Sequence, residues 1–464
     1  MEKNTAKMQL EGLLDILTDA KEYGSILNVE SYNWDLLRRF VGGIDDEVQI
    51  SLESAGVEET AEQLKQLVEQ GEVMAQKYWV TVTNPPYAGM SKMNAKLNSF
   101  VQDNYADYKS DMFSAFVVKC STMTRTNGYC AFLTPYVWMF IQSYEKMRNY
   151  LYANTTIETL IQFEYSAFEE ATVPICTFAF RKGYIAKKGC YLRLTDFRGG
   201  MEVQRQKTLE AINNHNCGYY FEQYSDNFAK IPGSPVAYWV SEKFTNMYKQ
   251  TSIAQIATTR EGMTTADNDQ FVRLWEEVNS EHIAFGCTTS FEAQKTNRRW
   301  FPYAKGGDFR KWYGNSWYVV DWQDDGWRIR NFKDEKTGRI RSHNYNLEYI
   351  FRECLSWTRV TSGNFCIRYY PKGYLCDTAG AGLFVEKDRM FLLGWLSTNI
   401  VNQMLQIQNP TIVVQAGDVA RIPVPEKKNN KQDIENLVED NISISKEDWD
   451  SFETSWDFKV HPLV

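Results

Sequence analysis

Histidine and cysteine are scarce in this chain. Its 464 residues include four His and nine Cys, and no two cysteines stand in a C-x-x-C pair. Scattered, odd-numbered cysteines argue against a disulfide framework, and with so few histidines they argue against a zinc centre. Long apolar runs are missing too. Stretches such as MFLLGWL at 390–396 fall far short of the roughly 20 residues that cross a bilayer. The first residues, MEKNTAKMQLEGL, have neither the apolar core nor the small-residue cleavage site of a signal peptide. These absences lead us to expect a cytoplasmic protein with no metal and no membrane segment.

Aromatic residues are plentiful, with 14 Trp, 27 Tyr and 26 Phe. The net charge is −8 and is unevenly spread. Residues 1–78 carry net −9 and residues 426–464 net −5, so the middle is net +6. Within it, 292–341 holds 12 basic and 7 acidic side chains. A mildly basic, aromatic-rich centre between acidic ends suits contact with nucleic acid, or simply a solvated face.

Helical spacing of apolar residues predicts amphipathic helices over 6–40 and 58–76, interrupted at Gly42-Gly43. Strands are expected at 78–83, 128–135, 156–164 and 173–182, with helices at 110–123 and 143–154 between them. That alternation implies an α/β fold with a mainly parallel sheet and helices on both faces. After about residue 185 short aromatic strands and Gly-bearing turns take over. The run KKNNKQD at 427–433 reads as a linker.

Proline is uncommon, so KYWVTVTNPPYAG at 77–89 is conspicuous. A β-branched run ends in Asn84-Pro85-Pro86-Tyr87, and neither proline can donate to a ladder. In open α/β sheets ligands sit beyond the carboxyl ends of strands, where Asn84 falls. The chemistry that suits this corner is methyl transfer to the exocyclic amine of adenine. That nitrogen is a poor nucleophile because its lone pair is delocalised into the ring. The Asn84 side-chain oxygen and the Pro85 carbonyl can accept its two N–H bonds, while Tyr87 offers a face for an extruded base. The plainer reading is a proline turn that caps a strand.

Several stretches carry a resemblance to a known family. VTNPPYAGMSKMNAKL, KSDMFSAFV, NGYCAFLTPYVWMF and FEEATVPICTFAFRKG follow one another as in DNA amino-methyltransferases. With GMTTADNDQFVRLWEEV, RRWFPYAKGGDFRKWYGN, TSGNFCIRYYPKG and NPTIVVQAGDVARIPVP, nearly the whole chain resembles the PglX-type adenine-specific methyltransferases of BREX phage-defence systems. The resemblance implies a partial Rossmann-like class I methyltransferase sheet, its later strands only, followed by a mixed α+β target-recognition domain. It makes Asn84, Pro85, Pro86 and Tyr87 the catalytic tetrad. S-adenosylmethionine is then the methyl donor and double-stranded DNA the partner.

The glycine-rich loop that cradles the donor in that family precedes the tetrad strand, and no suitable loop occurs in the 80 or so residues before it. Cofactor-binding residues are therefore unknown, the binding half is expected to be missing, and Tyr78–Thr83 is expected at a sheet edge open to a partner. CDTAGAGLF at 376–384 carries Asp377 and Gly380-x-Gly382, yet it is not followed by a helix as a donor loop would be. The expected organisation is a helical acidic segment at 1–76, the C-terminal half of a catalytic domain at 77–185, a target-recognition domain at 186–425, and a linker with the start of a truncated region at 426–464. Candidate DNA contacts are Arg298, Arg299, Lys305, Arg310 and Lys311, interleaved with Trp300, Tyr303, Trp312 and Tyr313. Thr265, Asp267 and Asn268 form either a cap or a base contact. Asp111 reads as a helix cap, and Trp138, Met139 and Phe140 as core. The expected activity is N6-adenine DNA methylation in phage defence or restriction-modification, through a chain whose activity alone is doubtful. Such a chain is either a truncated gene product or one piece of a split enzyme; a chain carrying the missing half and other phage-defence components are the further candidate partners. A non-catalytic DNA-specificity subunit and a protein-glutamine methyltransferase, which also uses Asn-Pro-Pro-Tyr, remain as alternatives.

Overall fold

The computed structural model describes residues 2–46, 55–165, 173–361, 363–409, 412–426, 430–461 and 463. The chain divides into two compact units, one of Met1–Ala229 with Gly233–Trp239, the other of Lys230–Pro232 with Val240–Val464.

The first unit is built on a six-stranded sheet. Its strands are β1 (Tyr78–Thr83), β2 (Thr124–Pro135), β3 (Thr155–Gln162), β4 (Ile175–Lys182), β5 (Gly189–Arg193) and β6 (Tyr220–Gln223), in spatial order β1-β2-β4-β3-β5-β6. The expected mainly parallel sheet is in fact mixed. Pairs β1/β2 and β3/β5 are parallel, while β4 runs antiparallel to both neighbours and β6 is antiparallel to β5. β1 reaches its parallel neighbour β2 through a connection that includes the Met112–Met123 helix, whereas along the chain β4 returns between β3 and β5 with no helix among the described residues of either connection. The strand at 173–182 begins at Ile175, and residues 166–172 lie outside the described set. The sheet also continues past residue 185, because β5 and β6 complete it.

Helices Met112–Met123 and Glu145–Asn154 pack on this sheet through Phe113, Val117, Met147 and Leu151, against Cys130, Phe132, Leu160, Phe178 and Phe180. Trp138, Met139 and Phe140 belong to the same core, as expected. Helices do not cover both faces throughout. Along β1 the row of Val80 and Val82 is exposed, as is Tyr129, the neighbour of Val80 on β2. β1 is the sheet's edge strand, as the sequence led us to expect.

The N-terminal residues make helices Glu2–Leu17, Trp34–Asp46 and Ala55–Ala75 around Leu10, Leu13, Leu37, Val41 and Val68. A single helix over 6–40 does not form: Asp19 and Gly24 adopt positive φ, and Asn33 starts a new helix by accepting from Leu36 N at 3.1 Å. Gly42-Gly43 does not end that helix. Burial of Val41 in the bundle outweighs a penalty of about 1 kcal/mol per glycine. Gly71 sits mid-helix because a Cβ there would lie 2.7 Å from Leu13 Cδ1.

The second unit holds two four-stranded sheets. One contains β8 (Val272–Leu274), β9 (Trp300–Ala304), β10 (Tyr318–Asp321) and β13 (Leu375–Cys376). The other contains β7 (Thr258–Arg260), β11 (Cys354–Thr358), β12 (Ile367–Tyr370) and β14 (Gly380–Phe384). Helices Arg389–Leu396, Asn399–Gln408 and Lys431–Asp450 pack here, with Val438 of the last against the Arg389–Leu396 helix at Gly394. The expected linker at 427–433 therefore already opens a helix at Lys431, while 427–429 lie outside the described residues.

The N-terminal bundle is fastened to the sheet's helical layer by polar contacts. Buried Lys119 donates to the Leu27 carbonyl at 2.5 Å and to Asn28 Oδ1 at 3.0 Å, and Tyr105 donates to the Ile26 carbonyl at 2.6 Å. Burial pulls the Lys119 pKa down to about 8 from 10.5. Between those values the unfolded chain holds a proton that the folded one lacks, so rising pH stabilises the fold through this group. Denaturation of the protein and of Lys119→Met across this pH range tests it. The stability difference should move toward the unsubstituted protein by on the order of 1–3 kcal/mol; a pH-independent difference would show that Lys119 does not titrate there.

Candidate active site

β1 stops at Thr83 because Pro85 and Pro86 have no amide hydrogen to extend it. Asn84 and Pro86 are exposed, Pro85 is buried and Tyr87 is half-buried. The Tyr87 hydroxyl lies 2.7 Å from Asn84 Oδ1 and 3.1 Å from the Leu133 carbonyl near the end of β2. Its ring meets Phe113 edge to face, with centroids 6.4 Å apart at 89°. Partial burial raises the Tyr87 pKa, so the phenol stays protonated and remains a donor. An amide oxygen has two lone pairs. One takes the Tyr87 hydroxyl, which fixes the carboxamide plane, and the other is left for an incoming N–H.

Asp111 does more than cap a helix. Its Oδ1 accepts from Phe113 N at 3.2 Å, as a cap should, and also from Ala88 N at 3.0 Å. Met112 N in turn donates to the Ala88 carbonyl at 3.0 Å. The segment after Tyr87 is thereby clamped to the start of the Met112–Met123 helix. Burial raises the Asp111 pKa, opposed by these backbone donors. The S-D-M start of the helix announced the cap, but nothing in the sequence announced the loop contact.

The other sequence candidates lie in the second unit. Arg298 donates to the Ile283 carbonyl, and Arg299 shares the buried Asp321 with Arg328. Arg310 pairs with Asp448 at 2.9 Å, Lys311 donates to the Ser397 carbonyl at 2.7 Å, and Lys305 lies over the Tyr318 ring at 5.4 Å. These five do not converge on one point. Asp267 caps a short helix through Gln270 N at 3.0 Å, and Thr265 bonds Asn268 at 2.8 Å, which is the structural option of the two considered.

The 376–384 stretch holds the end of β13 and the whole of β14, which lie in different sheets. Asp377 accepts from Tyr303 at 2.7 Å and from Ala379 N at 2.7 Å, and a Cβ on Gly380 would fall 2.4 Å from the Ala304 carbonyl. Those glycines allow strands to approach and do not form a strand-to-helix phosphate-type loop. Among the described residues no group of His, Cys, Asp and Glu is arranged to hold a metal ion, and no helix is long and apolar enough to cross a membrane.

The Eco57I restriction-modification methylase family matches residues 22–168. The solved structure of the Type IIL restriction-modification enzyme MmeI in complex with DNA matches 84% of this chain and 52% of that one, with TM-score 0.50 and 12% identity, a likeness of fold. Closer in sequence is the adenine-specific methyltransferase PglX of Lacticaseibacillus casei (strain Zhang), 38% identical over 458 residues, which cover 96% of this chain and 37% of that protein. The adenine-specific methyltransferase BrxX of Escherichia coli O9:H4 (strain HS) is 31% identical over 465 residues, covering 97% and 36%. The chain is a homologue of the PglX and BrxX adenine-specific methyltransferases over the part of them that it spans, which is 37% and 36% of their lengths.

Replacing Asp111 tests the clamp. Asp111→Ala should lower thermal stability by about 1–2 kcal/mol, and Asp111→Asn, which keeps an acceptor oxygen, should recover most of that loss. Equal melting of all three proteins would mean that neither bond matters.

Proposed function

We propose that the chain supplies the catalytic corner and the DNA-recognition region of an N6-adenine DNA methyltransferase acting in phage defence or restriction-modification. The observation that carries this reading is the Asn84-Pro85-Pro86-Tyr87 corner. It stands open at the carboxyl end of an edge strand, with the carboxamide locked by the Tyr87 hydroxyl. In this reading the free lone pair of Asn84 Oδ1 and the Pro85 carbonyl accept the two N–H bonds of an extruded adenine. The amine lone pair then turns out of the ring plane toward the methyl donor. The half-exposed Tyr87 ring gives the base a stacking face.

S-adenosylmethionine supplies the methyl group in this class. Gly199 and Gly200 join β5 to the helix Gly200–Asn213, but β5 is separated from β1 by three strands, so no step is routed here through residues that hold the donor. The proposal is that further sequence or a separate chain brings the donor's cradle to β1. The support is physical, since β1 offers an unpaired edge and exposed Val80 and Val82 beside it. Arg298, Arg299, Lys305, Arg310 and Lys311 belong to the proposal as residues that shape the recognition region. That no such glycine turn directly follows β1 among the described residues favours one second reading, a DNA-specificity module without catalysis of its own.

Two measurements separate these readings. Asn84→Ala, placed in an assembly that methylates adenine, should lower the methylation rate by roughly 10²–10³, by analogy with other oriented polar groups at transition states. Unchanged methylation would end the assignment. Calorimetry of the chain alone with S-adenosylmethionine should give weak or no binding, and micromolar binding would show that the cradle lies within these residues.

A further inference from the structure

The second unit carries a groove of about 870 Å³ that the proposed reaction does not use. Tyr349, Arg352, Lys372, Phe384, Lys387 and Arg389 are among its walls. Arg352, Lys372 and Lys387 are exposed, come from three separate segments, and make no ion pair among the described residues. Other cations of this unit, among them Arg299, Arg310, Arg328, Arg330, Arg359 and Arg421, lie within 4.0 Å of a carboxylate, whereas these three stand together on the walls of one concave surface.

Few carboxylates stand against them: Glu292, which accepts from Thr288 and feels the charge of Lys372, makes no ion pair with it. Glu353 is taken by Arg389 at 2.7 Å and by the Tyr369 hydroxyl at 2.5 Å, which leaves Glu386 on the wall. Arg389 also has a buried Nε with no acceptor. The floor is aromatic: Tyr349 and Phe384 have ring centroids 4.7 Å apart. The guanidinium groups of Arg260 and Arg352 lie 5.3 and 5.4 Å from the Tyr349 ring centroid. A guanidinium held over a ring presents its N–H edge at a fixed place, which suits two-point contact with a phosphate.

We propose that this groove binds the phosphodiester backbone of duplex DNA, with Arg352, Lys372 and Lys387 as phosphate contacts. Cations on an open rim fit a polymer passing across them better than a small anion held inside. The inference rests on the reading that the chain works on DNA, and it assigns the backbone contact to residues other than those at 298–311, most of whose charged groups are engaged internally.

The test is binding of a short DNA duplex to the full chain across a salt titration. Each lost phosphate contact flattens the slope of log K against log salt by about 0.9. The triple variant Arg352→Gln/Lys372→Gln/Lys387→Gln should bind at least tenfold more weakly at low salt, with a slope flatter by about 2–3. Circular dichroism and melting should be unchanged, because the three side chains are exposed. A control triple, Lys333→Gln/Lys336→Gln/Lys459→Gln, removes the same charge from residues that do not line the groove, and should keep most of the slope. Unaltered binding by the groove variant overturns the groove and leaves the DNA reading intact, and so does an equal loss in the control. Preference for an RNA duplex of the same length overturns the choice of DNA. Absence of any salt-dependent DNA binding by the unsubstituted chain defeats the DNA reading and the groove together.

Discussion

A single buried arginine holds the first unit's architecture in place. Arg148 is fully buried and makes no ion pair among the described residues. Its guanidinium instead donates to four main-chain carbonyls, Trp138, Ile141, Gly233 and Ser234, at 2.6–3.1 Å. A buried charge is costly unless its donors are met, and carbonyl dipoles meet them here. The acceptors belong to stretches far apart in sequence. One follows the end of β2, and the other is the short return of the chain into the first unit at 233–239. Tyr152 donates to the same Ser234 carbonyl at 2.9 Å, and Val236 N to the Met139 carbonyl at 2.9 Å.

This knot bears on the candidate site through β2. Tyr87 reaches the Leu133 carbonyl, two residues before the strand's end at Pro135, and the stretch that Arg148 grips begins three residues beyond Pro135. The corner is thus held from two sides, by β2 through the Tyr87 hydroxyl and by the Met112–Met123 helix through Asp111. Such two-sided support is what a site needs when a side-chain oxygen must meet an amine at a set angle. The edge of β1 is in contrast left unsupported, and the exposed valines beside it make it the first unit's most obvious surface for association.

Much of this was legible in the residues. Asn-Pro-Pro-Tyr after a β-branched run marked both the end of β1 and the candidate chemistry, because proline's lost donor is a local property. The helices at 112–123 and 145–154 and the burial of Trp138, Met139 and Phe140 followed from spacing. What escaped depends on partners distant in the chain. Strand direction in β4 is decided by connection length and neighbours, not by strand composition. The helix through Gly42-Gly43 is decided by the bundle around Val41. Lys119 and Arg148 drew no reading from the sequence, although Lys119 follows Val117-Val118 and Arg148 lies between Met147 and Leu151, and that placement among apolar residues was the available signal. The basic residues at 298–311 drew attention through density. Density alone does not distinguish cations that knit a unit together from those left facing outward.

The return of the chain at 233–239 bears on where the chain can be cut without breaking a unit. A junction placed at residue 185, where composition changes, would sever β5 and β6 from their sheet. It would also deprive Arg148 of two acceptors and Gln162 of the Tyr238 hydroxyl that reaches it at 2.8 Å. A chimera that keeps the recipient's own residues through Trp239 respects the physical seam between the two compact units.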